Sequence, residues 1–267
     1  MNDPRFHIDR DTLVIDGLQQ TYRLMQLSDS HMSPDSPLDN EEHRAKAAHL
    51  REVWMQHGNG VPQEENFCRL RDFGKEQGAD MFLFAGDMTD FPSVGTATAG
   101  RALYESTGAY LYVLGNHEGG ESHYPLFEAA TGGDPAIQVK DLGELRLIGV
   151  DNAAHTVSDR VLETLADVLY GDKPVIVVQH TPFSASTLRP DAIAYWQDVS
   201  YFLFGEAGKD ANAKAYEQLL TKEKTRLAAV VAGHLHLAHV DTFENGVTQY
   251  ISAPCLAGYG RLLTVKG

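Results

Sequence analysis

The sequence predicts an α/β fold with strands running in both directions, and three observations carry that expectation. Five short, nearly continuous apolar runs recur along the chain, helical stretches lie between them, and two further stretches read as hairpins. The runs are Tyr22 to Leu27 "YRLMQL", Met81 to Ala85 "MFLFA", Ala109 to Leu114 "AYLYVL", Pro174 to Val178 "PVIVV" and Leu227 to Ala232 "LAAVVA". A strand covered on both faces loses the alternation of a half-exposed strand and becomes apolar throughout. Between the first two runs, one helix is predicted over 38–55, with Asp39 and Glu42 at capping-box spacing. A second is predicted over 62–77, joined to the first by the loop "HGNGVPQ". A third is predicted over 158–170, where no acid follows Ser158 at the spacing a capping box needs. The stretches "IQVKDLGELRLIGVD" and "HVDTFENGVTQYISA" read as hairpins, the second turning at Asn245 and Gly246, which makes the sheet content mixed.

Composition bounds the function. The 267 residues, 43% of them hydrophobic, suffice for a large core, and no repeat, low-complexity tract or linker divides them. One domain over 1–267 is therefore expected. The 37 acidic against 22 basic residues give a formal charge of −15 with no Lys/Arg run, which argues against a nucleic-acid partner. Cys68 and Cys255 form no CxxC pattern and read as two reduced thiols. The N-terminus carries no apolar targeting segment, and no run approaches the ~18 residues of a membrane span, so a cytoplasmic protein without membrane contact is expected.

The residues that follow the runs carry the chemistry. Asp29 and His31 follow the first, Asp87 the second, Asn116 and His117 the third, His180 the fourth, His234 and His236 the fifth. Open α/β sheets gather ligands at the carboxyl ends of their strands, so these side chains can share one site. Carboxylate, amide and imidazole donors without a thiolate suit two divalent cations such as Mn, Fe or Zn. Two such cations bind a phosphoryl group, acidify a bridging water and clamp an in-line displacement, which is chemistry for hydrolysing a phosphate ester.

The ordered blocks Asp29-Ser30-His31, Gly86-Asp87, Gly115-Asn116-His117-Glu118, His180 and Gly233-His234-Leu235-His236 resemble the signature of the calcineurin-like metallophosphoesterases. The resemblance implies a four-layer α-β-β-α sandwich of two mixed sheets with a dinuclear metal site at the strand carboxyl ends. It implies that Asp29, His31 and His236 hold one metal, Asn116, His180 and His234 the other, and that Asp87 bridges them. His117 would stay off the metals as general acid, a role that its ordinary pKa of ~6.5 permits. Gly86, Gly115 and Gly233 would let the backbone pass a crowded site. Asp90 reads either as an acceptor for a ligand histidine or as a loop cap, and Glu118 as an orienting group or a turn residue. No role is assigned to Asp151, Asn152, His155 or His239.

Departures from relatives narrow the class. Asp90 stands where purple acid phosphatases place a ligand Tyr, and Phe91 and Gly119 to Glu121 where the Ser/Thr protein phosphatases carry Arg. His117 stands where the lipid A pathway hydrolases carry Arg. The remaining resemblance is to bacterial phosphodiesterases of the cyclic-nucleotide type and to small phosphoesterases, and the absence of an obvious cluster of Arg residues to hold a dianion favours a diester over a monoester. A phosphomonoesterase and a non-catalytic metal-binding scaffold are the alternatives. The segment 183–210 holds Phe183, Tyr195, Trp196, Tyr201, Phe202 and Phe204, with Arg189 available for phosphate. It reads as a lid or wall for a small-molecule substrate, or as a contact in a homo-oligomer.

Overall fold

The computed structural model describes residues 6–267. Its strands are β1 (His7–Val14), β2 (Tyr22–Leu27), β3 (Met81–Ala85), β4 (Tyr110–Val113), β5 (Ile137–Leu142), β6 (Leu145–Val150), β7 (Val175–Val178), β8 (Leu227–Ala232), β9 (His239–Thr242), β10 (Thr248–Ile251) and β11 (Tyr259–Lys266). The helices are α1 (Glu41–His57), α2 (Gln63–Glu76), α3 (Val94–Glu105), α4 (Tyr124–Thr131), α5 (Asp159–Leu169), α6 (Leu188–Trp196) and α7 (Ala211–Thr221). Every apolar run of the sequence is a strand, and both hairpins form, as the antiparallel pairs β5/β6 and β9/β10.

Two mixed sheets result, ordered β1-β11-β2-β3-β4 and β5-β6-β7-β8-β10-β9. Their facing surfaces bury Leu24, Leu83, Val113, Leu147, Ile176, Val178, Ala229 and Val231 between them. The outer face of the first sheet is covered by α2, α3 and α4 through Phe67, Leu70, Tyr104 and Phe127. That of the second is covered by α5 and α7 through Val161, Leu165, Tyr216 and Leu220. The four-layer α-β-β-α order follows from strands that are apolar on both faces, since each sheet must cover two surfaces.

Helix starts differ from expectation. Asn40 caps α1, its side chain accepting from the His43 amide at 2.8 Å. Asp39 is instead buried against α3, accepting from Ser93 Oγ and the Gly95 amide at 3.0 Å each. The capping box that does form joins Ser93 and Thr96, at the start of α3, a helix the apolar pattern did not announce. Ser158 caps α5 without a box partner.

Strands β2, β3 and β4 run parallel and in register, with Leu27 opposite Phe84 and Ala85 opposite Val113, so their carboxyl ends lie side by side. The pairing continues past the strands, the Asp29 amide donating to Gly86 O at 3.0 Å and that of His31 to Asp87 O at 2.9 Å. On the second sheet the Gly233 amide donates to His180 O at 3.0 Å. One carboxylate ties the loops after β3 and β4 together. Buried Glu118 accepts from the amides of Gly115 (2.7 Å), Thr89 (2.8 Å) and Asp87 (3.1 Å) and from the Tyr112 hydroxyl (3.0 Å). Burial and the Asp87 charge push its carboxyl up to about 7, while the Thr89 and Gly115 amides favour the ionised form. Glu118 therefore has the structural task that its sequence position left open. Glu118→Gln replaces one accepting oxygen by an NH2 that faces donors, and is expected to destabilise the fold by about 1–3 kcal/mol. Chemical denaturation of the variant against the parent measures this, and an unchanged midpoint would refute it.

Candidate metal centre

The seven expected donors meet where the two sheets face each other at their strand ends. Asp29, His31, Asp87 and Asn116 come from the first sheet, and His180, His234 and His236 from the second. Ligand atoms of Asp29, His31 and His236 lie within 4.8 Å of one another, and so do those of Asp87, His180 and His234. Asn116 Oδ1 stands 3.1 Å from His180 Nε2, which groups the amide with the second set. Asp87 Oδ2 is 3.2 Å from His180 Nε2 and 4.0 Å from His31 Nε2, so its carboxylate stands between the two sets.

Local backbone geometry makes this crowding possible. Asp29, His31, Asp87, His234 and His236 all have positive φ, between 45° and 71°, in the left-handed region that few L-residues adopt. Each strand turns off its extended course at the donor. At Gly86, itself at φ 85°, a Cβ would collide with the His180 ring, and at Gly115 it would strike the Asp87 carboxylate.

The imidazoles are oriented as metal ligands are. His31 Nδ1 donates to Asp90 Oδ1 at 2.8 Å, His180 Nδ1 to Ala85 O at 2.8 Å, and His234 Nε2 to Tyr201 O at 3.2 Å. Each bond fixes the ring and directs the opposite nitrogen toward the cluster. With buried carboxylates, an amide oxygen and no thiolate, the donor set fits hard-to-intermediate divalent cations.

Electrostatics supports that fit. Burial opposes the charged form of Asp29 and Asp87, yet His236 brings Asp29 below its ordinary value and His180 holds Asp87 well below the usual carboxylate range. Burial likewise opposes a charged His180, but Asp87 and Asp29 raise it to about 10. His234 is driven down to about 3 by burial and the neighbouring His180 charge. The two carboxylates thus stay ionised although buried, a negative charge that the His180 ring offsets and that bound cations would offset in its place.

His117 stands beside the donors. Its amide donates to Asp87 Oδ1 at 2.9 Å, and its Nδ1 lies 2.8 Å from Asp90 Oδ1. Burial lowers its proton affinity, but the Asp90 and Asp87 carboxylates more than reverse this and raise it to about 9. Asp90, desolvated but flanked by His117 and His31, is brought down to about 2. Of its two open readings, Asp90 takes that of an acceptor, since it holds the His31 ring. Asn152, assigned no role from sequence, is also a brace: its Oδ1 accepts from the His180 and Thr181 amides at 3.1 and 2.9 Å. The remaining unassigned residues stay peripheral. Asp151 accepts from the Tyr124 hydroxyl at 2.8 Å, His155 Nδ1 accepts from the Gly205 amide at 3.3 Å, and His239 pairs with Asp191 at 3.1 Å.

The segment 183–210 divides. Phe183 and Phe204 belong to the core under α7 rather than to a wall. Trp196 and Phe202 stack at 4.3 Å beside the site, Phe202 lying 5.5 Å from the His234 ring and Trp196 6.0 Å from that of His236. Arg189, read from the sequence as available for phosphate, is engaged elsewhere in the structure: its Nε lies 3.4 Å from Glu206, and it lines a separate cavity with Glu217 and Glu244. No helix among the described residues is long and apolar enough to cross a membrane.

Known structures share this fold. The chain resembles a dimetal phosphatase from Danio rerio at a TM-score of 0.56 and 11% identity, over 88% of both chains. It also resembles the calcineurin-like phosphoesterase YfkN from Bacillus subtilis (TM-score 0.50, 11% identity, 88% of this chain and 82% of that one). A protein from Thermus thermophilus is similar at a TM-score of 0.52 and 9% identity, over 89% of this chain and 91% of that one. At such identities these likenesses establish the fold. No curated protein matches the sequence significantly. The calcineurin-like phosphoesterase profile matches residues 22–238, a span that begins with β2 and ends just past His236. The chain therefore belongs to the calcineurin-like phosphoesterases, a family of metal-dependent phosphoester hydrolases built around a dinuclear centre.

Proposed function

We propose that the chain hydrolyses a small phosphodiester with His117 as general acid. In this reading Asp29, His31 and His236 hold one divalent cation, Asn116, His180 and His234 the other, and Asp87 both. When bound, the pair supplies positive charge for the phosphoryl group and acidifies the attacking water. The observation that carries the assignment is Asp90, whose Oδ1 lies 2.8 Å from both His31 Nδ1 and His117 Nδ1. One carboxylate thus orients a ligand ring and holds a proton on the neighbouring ring. The Nε2 of His117 has no protein partner among the described residues, which leaves that edge for a leaving-group oxygen.

The choice of a diester rests on charge. No Lys or Arg among the described residues is bonded to any donor group, whereas a dianionic monoester favours such cations. The complete donor set speaks against a scaffold that has lost catalysis.

A screen of phosphomonoesters, cyclic and linear phosphodiesters and phosphonates, after chelation and reloading with Mn, Fe or Zn, tests this reading. Diester hydrolysis regained with metal is expected. A preference for monoesters would overturn the ester class, and full loading without turnover would overturn the enzyme assignment.

Two variants separate the roles. His117→Ala is expected to lower turnover by about 10²–10⁴ while metal content stays near two per chain, and Asp87→Asn to disturb both ions. Metal analysis showing ion loss in the His117 variant would sink its assignment. The pH profile tests Asp90. The Asp90 carboxylate favours the protonated His117 ring and keeps the acid form to higher pH, so activity that needs this proton falls as pH rises through the pKa of that ring in the loaded enzyme. Asp90→Asn removes the charge that retains the proton, and its alkaline limb is expected at lower pH; an unmoved limb counts against the clamp.

A further inference from the structure

Trp54 and Trp196 are the only two tryptophans of the chain, one in α1 and one at the end of α6, and both stand against His236. Each indole lies 6.0 Å from the His236 ring, at 62° for Trp54 and 69° for Trp196. Trp54 is also stacked on His31 at 4.3 Å, while Trp196 is fixed by its Nε1 donating to Leu235 O at 2.9 Å and by its stack on Phe202. A cavity of about 570 Å³ opens beside them, lined by both indoles, His236, Tyr195, Leu256 and Tyr259 among others. Such a volume suits a small organic group.

The lining is as informative as the size. It contains aromatic faces, aliphatic carbons and two histidines, and no Lys, Arg, Asp or Glu. A second phosphate or a carboxylate placed here would lose water without gaining a Lys or Arg counter-charge. A flat uncharged ring would gain stacking and apolar contact. Since His236 belongs both to the donor cluster and to this wall, a group held here is within reach of the phosphoester.

We infer that the cavity between Trp54, Trp196 and Tyr259 is a specificity subsite for an uncharged aromatic ring carried on one arm of the phosphodiester. This rests on the diester reading above. A nucleobase and a simple aryl group share the required chemistry.

Because the cavity holds every tryptophan of the chain, indole emission reports on it directly. Fluorescence titration with adenosine, benzyl alcohol and ribose is the first arm. Saturable change with adenosine or benzyl alcohol and none with ribose is expected, and which ring responds identifies the source. The second arm is kinetic. Trp196→Leu is expected to raise KM for bis(para-nitrophenyl) phosphate about tenfold with a smaller effect on kcat, and Trp196→Phe, which keeps a ring, to stay near the parent. A merely structural role would instead lower kcat and metal content through His236. Diester turnover in a protein whose emission ignores both rings would overturn the subsite. Emission that responds to rings in a fully loaded protein that cleaves no diester would leave the ring site standing and remove the diester reading.

Discussion

One buried carboxylate joins all parts of the site. Asp87, at the end of β3, accepts the His117 amide through Oδ1 and approaches His180 and His31 through Oδ2. It thereby links β4 and β2 on its own sheet to β7 on the facing one. Its own amide is held by Glu118, which also holds Gly115 and Thr89. A shift of Asp87 cannot be absorbed locally, because the loops after β3 and β4 share one acceptor and Gly115 leaves no space for a Cβ beside the carboxylate. Donor placement, the position of His117 and loop structure are therefore one constraint rather than three.

The same constraint explains the unusual backbone. Positive φ recurs at both members of Asp29/His31 and of His234/His236, so each sheet presents its donor pair by the same turn. A left-handed L-residue costs on the order of 1–2 kcal/mol, and five of them concentrate in one cluster. The offset comes from the strands beneath, whose residues Leu27, Leu83, Val178 and Val231 are fully buried in the sheet layers. Stability resides in the strands and chemistry in the strained turns that leave them, which keeps the two requirements from competing for the same residues.

This division decides how much was legible in the sequence. An apolar run followed at once by a polar donor type is local information, and the five runs and the side chains that follow them converge where that pattern placed them. The strand β1 carries Asp9, Arg10 and Asp11 and lies at an edge, so no apolar run marks it; pairing with β11, at the far end of the chain, creates it. The helix α3 is rich in Gly and Thr, weak helix formers, and depends on its Ser93–Thr96 box and on Asp39 from another loop. Asn152 and Glu118 act by accepting backbone amides that other segments bring to them. A sequence shows their polarity but not those amides. Phe183 and Arg189 failed for a related reason: aromatic density and positive charge are visible in a sequence, while the face they occupy is set by α7 and Glu206.

The acidic character of the chain turns this arrangement into a filter. Asp29, Asp87 and Asp90 are three buried carboxylates in one cluster, within a protein of charge −15. Without added cations, such a field disfavours an approaching phosphate ester. A pair of divalent ions adds about +4, and a protonated His117 adds further positive charge beside Asp90. The local sign would then reverse at the donor cluster, while the cavity at Trp54 and Trp196 has no Lys, Arg, Asp or Glu in its wall. In the proposed reading a single anionic centre would be drawn to the cluster, and a second would find no Lys or Arg in the neighbouring cavity. Under the proposed function, this charge distribution would orient a diester with its anionic phosphoryl group at the donor cluster and its uncharged arm toward the indoles.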